Sequence, residues 1–153
     1  MTEQYSGSEV QYAFIGRDSP VYPATVTLRH EVFYREHGRG FDAVQDSSEA
    51  DAFHLVAISG GTAAGYVRLS VNGETAVLSQ LVIAPEMRGR FGIARQLILR
   101  ICEKAKELGA TQVVGDIRLH VAKAAAAFGF SVSDEVLPSP KTGIPHRHIR
   151  KAL

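Results

Sequence analysis

The chain has 153 residues, 45% of them hydrophobic and 22% charged, which predicts one soluble globular domain. A net charge of +1 gives no reason to expect a nucleic-acid partner, and the single Cys102 excludes an internal disulfide and a cysteine-based metal cluster. The N-terminus is polar and no apolar run approaches about 20 residues, so we expect a cytoplasmic protein without a signal peptide, a membrane span or a metal.

The apolar pattern predicts a flexible lead over residues 1–9 and a single domain over residues 10–153. Strands are expected at 10–15, 51–59, 63–71, 75–83, 111–117, 132–137 and 146–151, and helices at 22–34, 92–108 and 121–128. The pairs Gly60-Gly61 and Asn72-Gly73 predict tight hairpin turns, which make the three central strands an antiparallel meander. The order β-α-βββ-α-β-α-ββ predicts an α/β (α+β) fold, with helices on a mixed sheet.

Residues 80–95 are the most informative segment. An apolar strand runs into a basic turn that contains glycine, and the turn opens into a long amphipathic helix. This order gathers free backbone N–H groups and the positive end of a helix dipole beside Arg88, Arg90 and Arg95. The segment therefore predicts a binding site for a pyrophosphate, and hence a cofactor that contains a nucleotide.

The element order and this turn resemble the GCN5-related N-acetyltransferase (GNAT) superfamily. Three further segments are similar to the ElaA/YjcF-like group of small bacterial members: LRHEVFYREHG (28–38), EADAFHL (49–55) and GIPH (143–146). The resemblance therefore covers essentially the whole chain, and it implies a mostly antiparallel central sheet with helices on both faces.

The resemblance implies acyl transfer from an acyl-coenzyme A, usually acetyl-CoA, to an amine. The strand before the turn would splay from its neighbour, and its backbone at Leu81, Val82 and Ile83 would bond the pantetheine arm and the thioester carbonyl. A preorganised N–H that faces the oxyanion would stabilise the transition state by roughly 3–4 kcal/mol. The diphosphate would lie on the turn and the helix start, formed by Arg88, Gly89, Arg90, Phe91, Gly92, Ile93, Ala94 and Arg95.

The turn departs from the superfamily pattern in length. With Gly92 and Ala94 taken as its last two anchors, Gly89 stands where a basic residue is usual. The turn is then one residue longer, with Phe91 as the apparent insertion. Arg88 or Arg90 would supply the missing charge.

The leaving-group position departs as well. Family members typically carry a tyrosine that is proposed to protonate the departing thiolate, and Ala125 occupies that position here. His120 is the nearest group that could replace it. Arg118 stands where the ElaA-like pattern often has glutamine. A thiol with a pKa near 8.5 can leave without an acid, so catalysis remains feasible.

Three further residues could accept the proton of the attacking amine: Glu36, His54 and His146. Histidine ordinarily titrates near pH 6.5, and His146 also belongs to the group's signature. Each residue has a structural alternative. His146 could cap a strand end, His54 could be a hydrogen-bonded core histidine, and Glu36 could be a solvated glutamate.

The predicted substrate-binding residues are Arg29, Glu36 and Asp51. Glu36 would bind the substrate ammonium. Arg29 could instead pair with a carboxylate such as Glu49 or Asp51, leaving it no contact with substrate.

The leading functional hypothesis is an N-acetyltransferase for the primary amine of a small molecule, acting by direct attack in a ternary complex. The first alternative is an acyltransferase with a longer acyl-CoA or acyl-carrier-protein donor, because homoserine-lactone synthases share this fold. The second is a CoA-binding domain without activity, motivated by Ala125. Small members often form homodimers, but no stripe in the sequence points to an interface.

Overall fold

The computed structural model describes residues 9–90 and 92–153. Phe91 and residues 1–8 of the expected lead lie outside the described residues. The strands are β1 Gln11–Ile15, β2 Phe53–Ser59, β3 Thr62–Asn72, β4 Thr75–Ile83, β5 Gln112–Arg118, β6 Ser131–Val132, β7 Leu137–Pro138 and β8 Pro145–Ala152. The helices are α1 Tyr22–Arg29, α2 Ile93–Glu107 and α3 Leu119–Ala127. None of the helices described is long and apolar enough to cross a bilayer.

The strands form one sheet in the order β1-β2-β3-β4-β5-β8-β6, with β7 paired to β8. Among the described strands only the β4–β5 pair is parallel, so the expected mixed, mostly antiparallel sheet is confirmed. Alternation along the strands divides the core between two faces. Leu55 and Leu69 pack in a cluster with α2 and α3, whereas Tyr66 packs with Leu28 of α1 on the opposite face.

The two predicted hairpin turns differ in outcome. Gly60 and Gly61 form the β2–β3 turn as expected, and both have positive φ. The β3–β4 prediction is wrong by one residue, because Asn72 pairs with Thr75 and the loop is Gly73-Glu74. Gly73, at φ +62°, occupies the first loop position, where a two-residue turn of type II′ requires glycine.

The predicted closing strand over residues 132–137 is also wrong. The structure has two strands of two residues each, β6 and β7, and both pair with β8. The intervening residues turn because side chains bind their backbone. The Ser133 hydroxyl accepts from the Glu135 N–H at 3.1 Å, and Arg147 donates to the Ser133 and Asp134 carbonyls at 2.9 and 2.8 Å.

The first helix changes character before its predicted end. It is α-helical over Tyr22–Arg29, with Pro23 in the first turn, where its missing N–H costs no hydrogen bond. A π-helical turn, His30–Tyr34, then continues it. This wider turn carries Val32 and Phe33 to the wall of a cavity.

The expected splay of β4 is confirmed. β4 and β5 pair only over Thr75–Leu78 and Gln112–Gly115. Gly115 is required there, since a Cβ would lie 2.6 Å from the Leu78 carbonyl oxygen. Beyond this point Ser79–Ile83 of β4 separates from the end of β5.

A bulge accompanies the splay. Arg68 of β3 pairs with Ser79 and Tyr66 pairs with Val82, so β4 holds one extra residue. Gln80 lies in this stretch with φ +52°, the one positive value among the described residues other than glycine. The Gln80 side-chain amide anchors the bulge by donating to the Val44 carbonyl at 3.2 Å and accepting from Arg29 at 2.8 Å.

A buried ion-pair network lies behind the bulge. Arg29 and Glu49 are 0% and 1% exposed, and they form two parallel hydrogen bonds of 3.0 and 2.9 Å. Glu49 also accepts from the Tyr22 hydroxyl at 2.7 Å and from Arg68 at 2.9 Å. Burial alone would raise the pKa of Glu49, but the donors from Arg29, Tyr22 and Arg68 hold it at about 2.

The network extends to the surface through Asp46. Arg68 donates to Asp46 at 2.9 Å, and Lys141 donates to it at 2.7 Å and to the Ala43 carbonyl at 2.6 Å. Burial would raise the pKa of Asp46, but these two cations lower it to about 2. The network therefore connects α1, β3 and the segment over residues 41–50 with the loop that carries Lys141.

Substitution Glu49→Gln should lower the free energy of unfolding by about 3 kcal/mol, because two buried guanidinium groups lose their common carboxylate. Urea denaturation followed by circular dichroism measures this. Asp51→Asn is the control, since Asp51 is exposed and should change stability by less than about 0.5 kcal/mol. Equal stability of the two variants would contradict a stabilising role for the network.

The same carboxylates predict the pH dependence of stability. Glu49 and Asp46 have folded-state pKa values below their unfolded values. They stabilise the fold above pH 4.5, the ordinary glutamate value, and lose that contribution as pH falls toward about 2. The difference in unfolding free energy between wild type and Glu49→Gln should therefore shrink between pH 6 and pH 3. A constant difference would contradict the assignment.

Candidate active site

Two adjoining cavities lie at the splayed ends of β4 and β5. The smaller, of about 190 Å³, is bounded by Leu81–Ile83, by the turn after β4 and by the start of α3. The larger, of about 450 Å³, extends to the loop after β7. Phe33, Leu81, Arg118 and Val121 line both, so the two cavities meet at Leu81 and Arg118.

The turn between β4 and α2 forms one end of the smaller cavity. Gly89 and Gly92 have φ of +75° and +62°, and a Cβ on either would meet no atom of the described residues within 4 Å. Gly92 begins α2 and no side chain caps that helix. The N–H groups of the first helical turn, such as those of Ala94 and Arg95, have no partner within the helix. This open, electropositive end fits a diphosphate.

Six of the predicted cofactor residues lie at the smaller cavity. The smaller cavity is lined by Leu81, Val82, Ile83, Arg88, Gly89 and Ala94. Arg90, Gly92 and Arg95 are exposed and are not among its lining residues, while the predicted contact of Phe91 lies outside the described residues. Ile93 has a packing role instead, because its side chain is 2% exposed and its N–H donates to the Arg90 carbonyl.

The glycine at position 89 of the turn has a structural explanation. Gly89 stands where a basic residue was expected, and its left-handed conformation favours glycine. Arg88, one residue earlier, lines the cavity and supplies a positive charge there.

His146 and His120 lie at the cavities. His146 lines the larger cavity, and its Nδ1 lies 2.8 Å from the Ile144 carbonyl. A carbonyl oxygen only accepts, so Nδ1 carries a hydrogen, and in the neutral ring Nε2 is the nitrogen with the free lone pair. His120 lines the smaller cavity. Partial burial, followed by repulsion from Arg88 and Arg118, lowers the pKa of His120 and favours its neutral form.

His54 and Arg29 lie in the buried network and line neither cavity. His54 is 2% exposed, and its Nε2 donates to the Glu49 carbonyl while its Nδ1 bonds the Tyr66 hydroxyl. Burial, together with Arg29 and Arg68, lowers the pKa of His54, although Glu49 opposes this. These positions favour a structural role for both residues: His54 is a hydrogen-bonded core histidine, and Arg29 pairs with Glu49.

Glu36 and Asp51 are exposed, and neither lines a cavity. Glu36 is close enough to Arg118 for its charge to favour the guanidinium form. The structure therefore does not bring the predicted substrate-binding residues, Arg29, Glu36 and Asp51, together in one site.

Sequence reasoning missed several walls of the larger cavity. Asp116 and His148 are cross-strand neighbours, and their side chains lie 3.0 Å apart. Lys141 belongs to the loop that closes the cavity. Alternation along β5 places Asp116 and Arg118 on one face, but only the splay exposes that face to a cavity.

Ala125 is 1% exposed and lies in the core, so the expected tyrosine position carries no polar group.

The family model of the acetyltransferase (GNAT) family matches residues 22–130. The chain belongs to the GNAT family. It is therefore an acyltransferase, and the resemblance inferred from its motifs is confirmed. No curated protein matches the chain in sequence.

Solved structures share the whole fold. ElaA of Escherichia coli superimposes with a TM-score of 0.77 at 18% identity, over 94% of this chain and 99% of that one. An acyl-CoA N-acyltransferase from Pseudomonas aeruginosa gives 0.76 at 26% identity, over 94% and 100%. An aminoglycoside 6′-N-acetyltransferase complexed with coenzyme A gives 0.74 at 14% identity, over 93% and 96%.

The turn predicts how the protein should respond to coenzyme A. Arg88→Glu should remove the rise in Tm that CoA produces in the wild type, because it reverses the charge beside the helix start. Differential scanning fluorimetry at millimolar CoA measures this. Arg17→Glu makes the same charge change at an exposed residue outside both cavities and should keep the full shift. Full CoA stabilisation of Arg88→Glu would contradict the assigned binding site.

Proposed function

We propose that this protein transfers the acetyl group of acetyl-CoA to the primary amine of a small molecule by direct attack in a ternary complex. The observation that carries the proposal is the pair of cavities that meet at Leu81. One leads to the glycine and arginine turn at the start of α2, and the other is closed by the loop that holds Lys141. Two substrates could therefore meet at the splayed strand.

The smaller cavity has the groups that hold a coenzyme A. Arg88 and the first N–H groups of α2 would bind the diphosphate. When bound, acetyl-CoA supplies an acetyl group activated as a thioester. Relatives support this donor, since the aminoglycoside 6′-N-acetyltransferase of similar fold was solved with coenzyme A.

The splayed edge of β4 would stabilise the developing oxyanion. Beyond Leu78 this edge has no strand partner on the β5 side, so its N–H groups on that side are free of the sheet. β3 and the anchored bulge at Gln80 hold the strand in place. A donor that is already oriented in this way lowers the reaction barrier by roughly 3–4 kcal/mol.

His146 is the proposed proton acceptor. Its Nε2 lone pair is available because Nδ1 donates to Ile144, and the side chain lines the larger cavity where the amine would enter. An amine must lose a proton to form the amide, and a histidine at the cavity wall can accept it directly or through water.

His120 is proposed to assist the departing thiolate. Its lowered pKa favours neutral imidazole, whose remaining N–H can donate a hydrogen bond to sulfur without full proton transfer. Full protonation by an acid is not needed, because a thiolate is already a good leaving group near neutral pH.

The proposal is tested by measuring release of free CoA with a thiol reagent, in the presence of a panel of primary amines. Acetyl-CoA should be turned over in an amine-dependent manner and faster than decanoyl-CoA. Turnover of long acyl donors alone would favour the alternative hypothesis of an acyltransferase with a longer acyl donor. CoA binding without turnover of any donor would favour a binding domain.

Replacing His146 by alanine should lower kcat by about 100-fold, the usual contribution of a general base. Stabilisation by CoA should be unchanged, since His146 lies outside the smaller cavity. His37→Ala, at an exposed position away from both cavities, should retain wild-type kcat. A His146→Ala variant with wild-type kcat would exclude His146 as the base.

A further inference from the structure

Arg118 occupies the junction of the two cavities. It ends β5 and lines both the smaller and the larger cavity. Its guanidinium carbon lies 4.8 Å from the centroid of the Phe33 ring, and its Nη2 donates to the Val32 carbonyl at 3.3 Å. Its Nε is buried and has no hydrogen-bond partner among the described residues. The side chain is therefore held in place while part of its donor capacity is unused.

The other charged groups of the larger cavity have partners. Arg68 and Lys141 both bond Asp46, and Asp116 bonds His148. In the described part of the chain, no carboxylate forms an ion pair with Arg118. Arg118 is partly buried and has no ion-pair partner there, so an anion from outside the chain could stabilise its charge.

The electrostatics at Arg118 agree with this. Burial lowers the pKa of Arg118, and repulsion from Arg88 lowers it further. Tyr34 and Glu36 offset part of this effect. A bound anion would remove the penalty on the guanidinium charge.

We infer that Arg118 binds a carboxylate of the acceptor, so that the preferred acceptors are amines that also carry a carboxylate, such as amino acids. The inference rests on the proposed function and specifies its acceptor. A guanidinium offers a planar pair of donors that matches a carboxylate. In an α-amino acid the amine is one carbon from the carboxylate, so binding at Arg118 would hold it beside Leu81, where the cavities meet.

The walls of the larger cavity favour an apolar side chain on that acceptor. Leu81, Ile117, Val121 and Leu137 contribute apolar surface, and a volume of about 450 Å³ is within the size range of small-molecule sites. The diphosphate would bind separately, at the turn that carries Arg88 at the other end of the smaller cavity.

The first test is binding, which does not depend on turnover. N-acetyl-phenylalanine and its C-terminal amide, which differ only in the carboxylate, are titrated calorimetrically into the protein with and without CoA. The acid should bind roughly tenfold to a hundredfold more tightly than the amide. Arg118→Gln should abolish this preference. Arg150→Gln, at an exposed β8 residue outside both cavities, should preserve it. Equal affinity of acid and amide in the wild type would overturn the inference.

The second test is kinetic and separates the inference from a role of Arg118 at the thioester. Phenylalanine, leucine and methionine are compared with their amides as acceptors. Arg118→Gln should raise KM for the amino acids by about tenfold to a hundredfold and change kcat/KM for the amides by less than about threefold. Arg118→Lys should restore part of the loss. An equal fall in kcat for acids and amides would overturn carboxylate binding.

The two proposals fail in different ways. Loss of all CoA stabilisation and turnover would refute the acetyltransferase proposal, while the calorimetric comparison would still decide carboxylate binding. Normal CoA stabilisation and turnover, without preference for the carboxylate, would overturn the role of Arg118 alone.

Discussion

The buried ion pair between Arg29 and Glu49 is the contact on which the rest of the structure depends. It joins α1 to the segment before β2, and Arg29 also holds Gln80 at the bulge of β4. A residue other than glycine pays a conformational penalty at positive φ, so Gln80 needs these side-chain contacts to stay there. The bulge and the splay below it give β4 an unpaired edge, and both cavities lie against that edge. A charge pair with no access to solvent thus supports the geometry of the site without lining either cavity.

The chain uses its positive charges in two distinct ways. Arg29, Arg68 and Lys141 bind carboxylates of the chain itself, and their role is structural. Arg88 and Arg118 face cavities and form no ion pair within the described residues. All five carry a positive charge, and Arg68 and Lys141 also line the larger cavity, so only their partners distinguish those that stabilise the fold from those available to a ligand.

Much of the fold could be predicted because its signals are local. Period-two and helical apolar patterns identified the meander and α2, and Gly60-Gly61 marked a turn whose geometry requires glycine. The errors occurred where side chains compete for the backbone. Arg147 and Ser133 interrupt the predicted last strand, and the helix predicted as far as residue 34 widens after Arg29.

By itself, the sequence determined the family, the element order as far as α3 and the turn that begins α2, because these depend on glycines, arginines and apolar spacing within short segments. Only the tertiary structure decided which ionisable residues face a cavity. His54 and His146 both lie on strands, yet His54 packs under α1 and His146 lines the larger cavity. Arg118 acquired its position because β5 separates from β4 beyond Gly115. The physical reason is that the surroundings of a strand side chain depend on its neighbouring strand and covering helix, which residues far apart in the chain supply.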